Sequence, residues 1–131
     1  MVVGIGLDIV MTERLTRALD APGDFEHRVF TPGELAACAS RCDRVQALAA
    51  RFAAKEACLK ALGIGIDTGV LLQVEVVPGA SGAPRLRLTG PLAQRARRCG
   101  VQAAHVSLTH EPGLAAALVV LEGTSKRPTS A

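Results

Sequence analysis

A twenty-residue stretch with helical periodicity, DRVQALAARFAAKEACLKAL at residues 43–62, sets the frame for the rest of the 131-residue chain. At about 100° per residue, Val45, Leu48, Phe52 and Leu59 line one side. The pattern predicts an amphipathic helix, and Gly63 is a natural C-terminal stop. Glu56 falls only about 40° round from Phe52, so a carboxylate borders the apolar stripe. Lys60 sits one turn further on, and Lys55 at the opposite margin. A carboxylate beside a buried face needs a partner, because burying an unpaired charge is costly. Either Lys60 supplies it as an i,i+4 pair on a solvated helix edge, or the partner comes from elsewhere in the fold.

Length and composition narrow that fold. A chain of this size is one domain with room for a real core. It is 49% hydrophobic and 21% charged, which marks it as globular. With three Phe, no Trp and no Tyr, the core must be aliphatic and Ala-rich. Base-stacking modules for nucleic acid are unexpected for the same reason. The net charge of +3 permits an acidic partner without indicating a polyanion binder. Cys38, Cys42, Cys58 and Cys99 form no C-x-x-C pair and lack the His spacing of a zinc site. Four reduced thiols, the absence of a spanning apolar segment and an apolar strand directly after Met1 predict a cytoplasmic chain that engages no membrane.

Along the chain, VVGIGLDIV (residues 2–10) reads as a buried strand ending near Asp8. A short helix from Thr12 turns Leu15, Ala18 and Leu19 inward and Arg14 and Arg17 outward, until DAPGD breaks it. FTPGELAACA opens another helix, with Thr31 as cap, Pro32 at the first position and Glu34 completing a capping box. LLQVEVVPG and PRLRLTG alternate like paired strands joined by GASGA, and GPLAQRARRCG reads as a helix with its basic residues facing water. AHVSLTHEPGLAAALVVLE reads as a hairpin turning at His110-Glu111-Pro112-Gly113. The expected fold is α+β, an antiparallel sheet against one long and several short helices. It forms a single domain over residues 1–122 with a disordered tail at 123–131.

Two constellations can carry chemistry. Asp8 is either an Asx cap for the helix near Thr12 or a ligand for a hard cation. Magnesium typically takes one or two protein carboxylates and completes its shell with water and phosphate oxygens. Asp8 and Glu56 are the two acids least at home on a surface, while Lys60 and Arg51 would offer charge to a phosphate. In HVSLTH, His105, Ser107 and Thr109 share one strand face, with Val106 and Leu108 on the core side. His105 suits a hydrogen-bonded structural role; His110, entering the turn, is free to point into a cleft. No nucleophile elbow is present, so in a transferase the nucleophile would arrive on the substrate.

GIGLD at residues 4–8, FAAKEACLK at 52–60 and the later HVSLTH together resemble the holo-acyl-carrier-protein synthases, the small 4′-phosphopantetheinyl transferases. The resemblance spans roughly residues 1–122 and implies the 4′-phosphopantetheinyl transferase fold. It implies transfer of phosphopantetheine from coenzyme A to a serine of an apo acyl carrier protein, with release of adenosine 3′,5′-bisphosphate. By position, Asp8 and Glu56 resemble magnesium ligands and Lys60 the lysine that meets the coenzyme phosphates. Arg51 and His110 resemble residues near the coenzyme, and Arg14 and Arg17 the basic surface that docks the acidic carrier. A homotrimer with active sites between subunits is implied. The serine proton would go to Glu56 through a water, or to His110. The roles of Arg41 and Arg44 stay open, as does the choice of a fatty-acid or polyketide carrier. A magnesium-dependent phosphohydrolase and a non-catalytic carrier-binding protein are the rival readings.

Overall fold

The computed structural model describes residues 1–124. Strand β1 (Val2–Met11) leads into helices α1 (Thr12–Asp20), α2 (Phe25–Val29), α3 (Pro32–Cys38), α4 (Arg44–Ala61) and α5 (Thr68–Leu71). The hairpin β2 (Val74–Pro78) and β3 (Pro84–Leu88) follows, then α6 (Gly90–Arg98) and a long hairpin of β4 (Val101–Glu111) and β5 (Leu114–Gly123). The strands form a three-stranded antiparallel sheet of order β1-β5-β4 and a separate two-stranded sheet, β2-β3. The fold is therefore α+β and antiparallel throughout, as the strand patterning predicts. The short helices α2 and α5 are additions to that reading, at 5 and 4 residues too brief to show a helical period.

Helix α4 is capped by Asp43 and Leu62, within one residue of the predicted bounds at each end. It is not amphipathic. Ala47, Leu48, Ala49, Ala50, Ala53, Ala54, Ala57, Cys58, Leu59 and Ala61 are all buried, and so is Lys55. The helix lies across the sheet and is walled on its other sides by α1, α3 and β2. A helix buried on nearly all sides loses its polar stripe, and alanine is what lets so many neighbours approach. The three phenylalanines, Phe25, Phe30 and Phe52, gather in one mutual cluster with ring centroids 6.0 to 6.5 Å apart.

Strand β1 meets α4 through its glycines. A Cβ on Gly4 would stand 2.2 Å from the Ala61 carbonyl oxygen, and one on Gly6 would stand 1.8 Å from that of Ala57. Helix backbone thus rests directly on strand backbone. The strand is not wholly buried, and it does not end near Asp8. It runs three residues further, along the edge of the sheet, and only the face of Gly4, Gly6, Asp8 and Val10 is covered. Ile5, Leu7, Ile9 and Met11 alternate onto the other face and are more than half exposed.

The final hairpin turns one residue later than the sequence suggests. Glu111 still pairs with Leu114, so Pro112 and Gly113 alone make the turn, with Gly113 at φ 91°. Proline followed by a positive-φ glycine is the arrangement of a type II turn. At the C-terminus, Gly123 belongs to β5 and the Thr124 N–H donates to the Gly100 carbonyl at 3.1 Å, extending the domain beyond residue 122. The rest of the predicted tail, residues 125–131, lies outside the described residues. All four cysteines are free thiols, and no helix among the described residues is long and apolar enough to cross a membrane.

The glycine contact gives a direct test. Gly6→Ala should cost about 3 kcal/mol or more, because the new methyl meets main chain that cannot rotate away. Gly65→Ala, at a position with nothing within 4 Å, should stay within about 0.5 kcal/mol of the parent. Urea unfolding of the two variants measures both; equal stabilities would contradict the close approach.

Candidate active site

The backbone contact between β1 and α4 brings three charged side chains together at one end of the seam. Asp8 follows Gly6 on the covered face of β1 and is 8% exposed. Its Oδ1 accepts a hydrogen bond from Lys60 Nζ at 2.9 Å, and the same ammonium reaches the Leu7 carbonyl oxygen at 3.1 Å. Asp8 Oδ2 is buried without a hydrogen-bond partner. Asp8 therefore serves as no helix cap, and α1 begins from Met11 with no side-chain cap bond. Lys60 in turn makes its ion pair with Asp8 across the seam rather than with Glu56 along the helix. The Asp8 carboxylate raises the Lys60 pKa above the usual lysine range.

Glu56 stands one turn before Lys60 and faces Asp8. Burial pushes its carboxyl up, to about 7, and the neighbouring Asp8 carboxylate pushes the same way, against Lys60 and Arg14. Two carboxylates pressed together in a half-buried site resist ionising together. A cation between them would relieve that repulsion and give the orphaned Asp8 oxygen a partner. Among the described residues no group of three or more His, Cys, Asp or Glu side chains converges, so the pair makes no closed metal cage. It does fit a hard divalent cation that keeps most of its shell for water and phosphate oxygens. A cavity of about 240 Å³ opens here, lined by Asp8, Glu56, Arg14, Leu15, Phe25 and Phe52.

Arg51 and His110 are elsewhere. They line a separate cavity of about 500 Å³ with Arg41, Ser107 and a wall from Val76, Val77, Pro78 and Pro84. The two cavities share no residue, so one chain does not unite the predicted site. Arg51 Nη1 donates to the Ala47 carbonyl at 3.2 Å, while its Nε is buried without a partner. His110 Nε2 lies 3.9 Å from the Asp43 carboxylate. That carboxyl is held down, to about 2, by its hydrogen bond from Arg41. Arg41 grips it through two bonds, at 2.7 and 2.9 Å, whereas Arg44 pairs with Glu26 on α2. His105 is hydrogen bonded, as expected of it, but to Glu122 on an exposed sheet face. Arg14 and Arg17 both project from α1; Arg14 borders the acidic cavity, and Arg17 pairs loosely with Glu13 at 3.4 Å.

Local pattern does not signal that Lys55 is fully buried, where it forms a 2.6 Å ion pair with Glu34. Its nearest signal was the capping box at Thr31 and Glu34, which is present as predicted.

Comparison with known proteins decides the family. The family model for the 4′-phosphopantetheinyl transferase superfamily matches residues 4–119. The chain belongs to the 4′-phosphopantetheinyl transferase superfamily. Among curated members, the holo-[acyl-carrier-protein] synthase of Anaeromyxobacter sp. (strain K) is 49% identical over 128 residues, 95% of this chain and 98% of that one. Among solved members, the holo-[acyl-carrier-protein] synthase of Neisseria meningitidis superposes with a TM-score of 0.83 at 34% identity, over 93% of this chain and 99% of that one. The Helicobacter pylori holo-[acyl-carrier-protein] synthase, solved in complex with coenzyme A, gives 0.76 at 29% identity over 90% and 99%.

The raised Glu56 carboxyl is directly measurable in the phosphopantetheinyl transferase chain. In divalent-free buffer its side-chain ¹³C resonance should titrate with a midpoint near 7. Because the folded pKa lies above the unfolded one, the stability this group contributes is full at low pH. It is lost as pH rises from about 4.5 through about 7. Asp8→Asn should lower the midpoint by removing the repelling charge. A midpoint in the ordinary carboxylate range for the unaltered chain would contradict the geometry.

Proposed function

We propose that this chain transfers 4′-phosphopantetheine from coenzyme A to a serine hydroxyl of an apo acyl carrier protein, releasing adenosine 3′,5′-bisphosphate. The observation that carries the reading is the meeting of Asp8, Glu56 and Lys60 where β1 crosses α4, in a chain so similar to holo-acyl-carrier-protein synthases. Asp8 and Glu56 would hold magnesium, which supplies charge neutralisation on the diphosphate oxygens. Lys60, exposed beside Asp8, would neutralise charge that develops on the leaving phosphate as the phosphorus–oxygen bond breaks. Two groups of the chain can accept the serine proton, Glu56 and His110.

The larger cavity suits the nucleotide end of coenzyme A. It combines an apolar wall with Arg41, Arg51 and His110, and the unpartnered Arg51 Nε is the kind of donor a phosphate satisfies. A complete site then needs two chains, one giving Asp8, Glu56 and Lys60 and the other Arg51 and His110. The exposed row Ile5, Leu7, Ile9 and Met11, continued by Leu114 and Leu118 on β5, is the surface on which subunits would meet. A homotrimer with its sites at the boundaries is the assembly we propose, working in the cytoplasm. The acidic carrier would dock on α1 through Arg17, beside the cavity that Arg14 borders.

Two experiments test these statements. Asp8→Asn and Arg51→Met chains should each lose about a hundredfold or more in magnesium-dependent transfer, read as the mass gain of the apo carrier. Mixed and reassembled, they should recover activity, because some boundaries then join an intact Arg51 to an intact Asp8. A mixture no better than its components, or a fully active monomer by sedimentation, would sink the shared site. Separately, Arg17→Glu should raise the KM for carrier several-fold while that for coenzyme A stays level, and the difference should shrink as salt screens the pair. If coenzyme A use alone suffers, the carrier approaches from elsewhere.

A further inference from the structure

Among the described residues the β2–β3 hairpin pairs only with itself, and no backbone ladder joins it to the three-stranded sheet. Yet Val76, Val77 and Pro78 form a wall of the cavity that contains Arg51. A cluster of buried polar side chains bonds the base of that wall to α3 and α4. Lys55 and Glu34 are both 0% exposed and lie 2.6 Å apart. Lys55 Nζ also donates to the carbonyl oxygens of Leu71 at 3.1 Å and Val74 at 2.6 Å, so all three ammonium protons have acceptors. Glu34 accepts from the Val76 N–H at 2.9 Å and from the Thr31 N–H at 2.9 Å. Glu75 accepts from the Thr31 hydroxyl at 2.5 Å and is bonded by its cross-strand partner Arg87.

Stability alone is a poor reason for such a cluster. Removing two charges from water consumes most of their attraction, and well-packed apolar residues often do as well. Burial indeed holds the Lys55 pKa below the usual lysine range despite Glu34. Directional bonds supply what apolar packing does not, one fixed placement of the strand against the helix. Lys55 lies one helical turn beyond Arg51. Helix α4 therefore presents the cavity's arginine and anchors the facing wall from neighbouring positions.

We propose that Lys55 is a positioning residue, whose bonds to Glu34 and to the Leu71 and Val74 carbonyls, together with the bond from Thr31 to Glu75, set the gap between the β2–β3 wall and Arg51 and so the fit of coenzyme A. The inference rests on the coenzyme assignment of that cavity. It is tested with the paired variant Lys55→Met/Glu34→Gln, which leaves no charge buried alone, and with the milder Glu75→Gln. In both, the KM for coenzyme A should rise, by about tenfold in the paired variant, while the KM for carrier stays within about twofold. A merely structural loss would reduce the active fraction and leave both KM values unchanged. Amide exchange should quicken at residues 74–78 and 84–88 and stay as in the parent across β4 and β5. An unchanged KM for coenzyme A in either folded variant would overturn the proposal, and Glu75→Gln decides alone if the paired variant does not fold. Calorimetry of the parent chain with coenzyme A separates the two claims. No binding there overturns the cavity assignment, while parent-like exchange at the hairpin in both variants overturns the clamp itself.

Discussion

The bare backbone contact of β1 with α4 is the constraint on which the other features depend. With Gly4 and Gly6 facing Ala57 and Ala61, the helix lies closer to the strand than any side chain between them would allow. Two consequences follow. The helix is drawn into the middle of the molecule, so its remaining sides must be covered by α1, α3 and β2. The side chains that flank the contact, Asp8 on the strand and Glu56 and Lys60 on the helix, are forced into one small volume. The same shortage of side-chain bulk that packs the core therefore builds the acidic site. A glycine at position 6 is as much a part of that site as the aspartate two residues later.

A central helix with so little surface in solvent has to resolve the polar residues it carries, and α4 does so in three ways. Lys55 is neutralised internally, by a carboxylate and two carbonyls. Lys60 and Glu56 are turned toward Asp8 at the end of the sheet seam. Arg51 is bonded at one nitrogen and left unpartnered at another. The first solution is closed and complete, as a structural polar cluster must be. The other two are incomplete, which suits groups that wait for a ligand.

Much of this was legible in the sequence, and the exceptions share a cause. The helix at residues 43–62, the capping box at Thr31 and Glu34 and both hairpins follow from local periodicity and turn chemistry, which act within a few residues. The motifs GIGLD and FAAKEACLK named Asp8, Glu56 and Lys60 correctly as neighbours. What local pattern could not show was which faces are covered. The wheel that places Glu56 beside an apolar stripe puts Lys55 at the opposite margin and names no partner for it; the partner is Glu34, from another helix. The full burial of α4 depends on elements far away in sequence. The open face of β1 depends on its edge position, which no strand pattern records. Within one chain His110 lies on the opposite flank of α4 from the acids, because β4 lies at the other edge of the sheet from β1, a separation that agrees with the sites between subunits implied by the resemblance.

That separation gains meaning from the unsatisfied atoms. Among the described residues, the buried side-chain nitrogens and oxygens lacking a hydrogen bond are Asp8 Oδ2 and Arg51 Nε. An orphaned buried polar atom typically costs about 1–3 kcal/mol, and a fold that satisfies Lys55 so fully has no general tolerance for them. One orphan is the second oxygen of a carboxylate whose first is held by Lys60, and the other is a guanidinium nitrogen. Their residues line different cavities, and no hydrogen bond among the described residues reaches either atom. Under the proposed function a metal-bound diphosphate would supply both missing partners at once, its metal to the carboxylate and its phosphates to the guanidinium. It would do so in the proposed assembly, where the acidic cavity of one copy opens onto the basic cavity of another. On that reading the two local deficits of the single chain are complementary halves of one site.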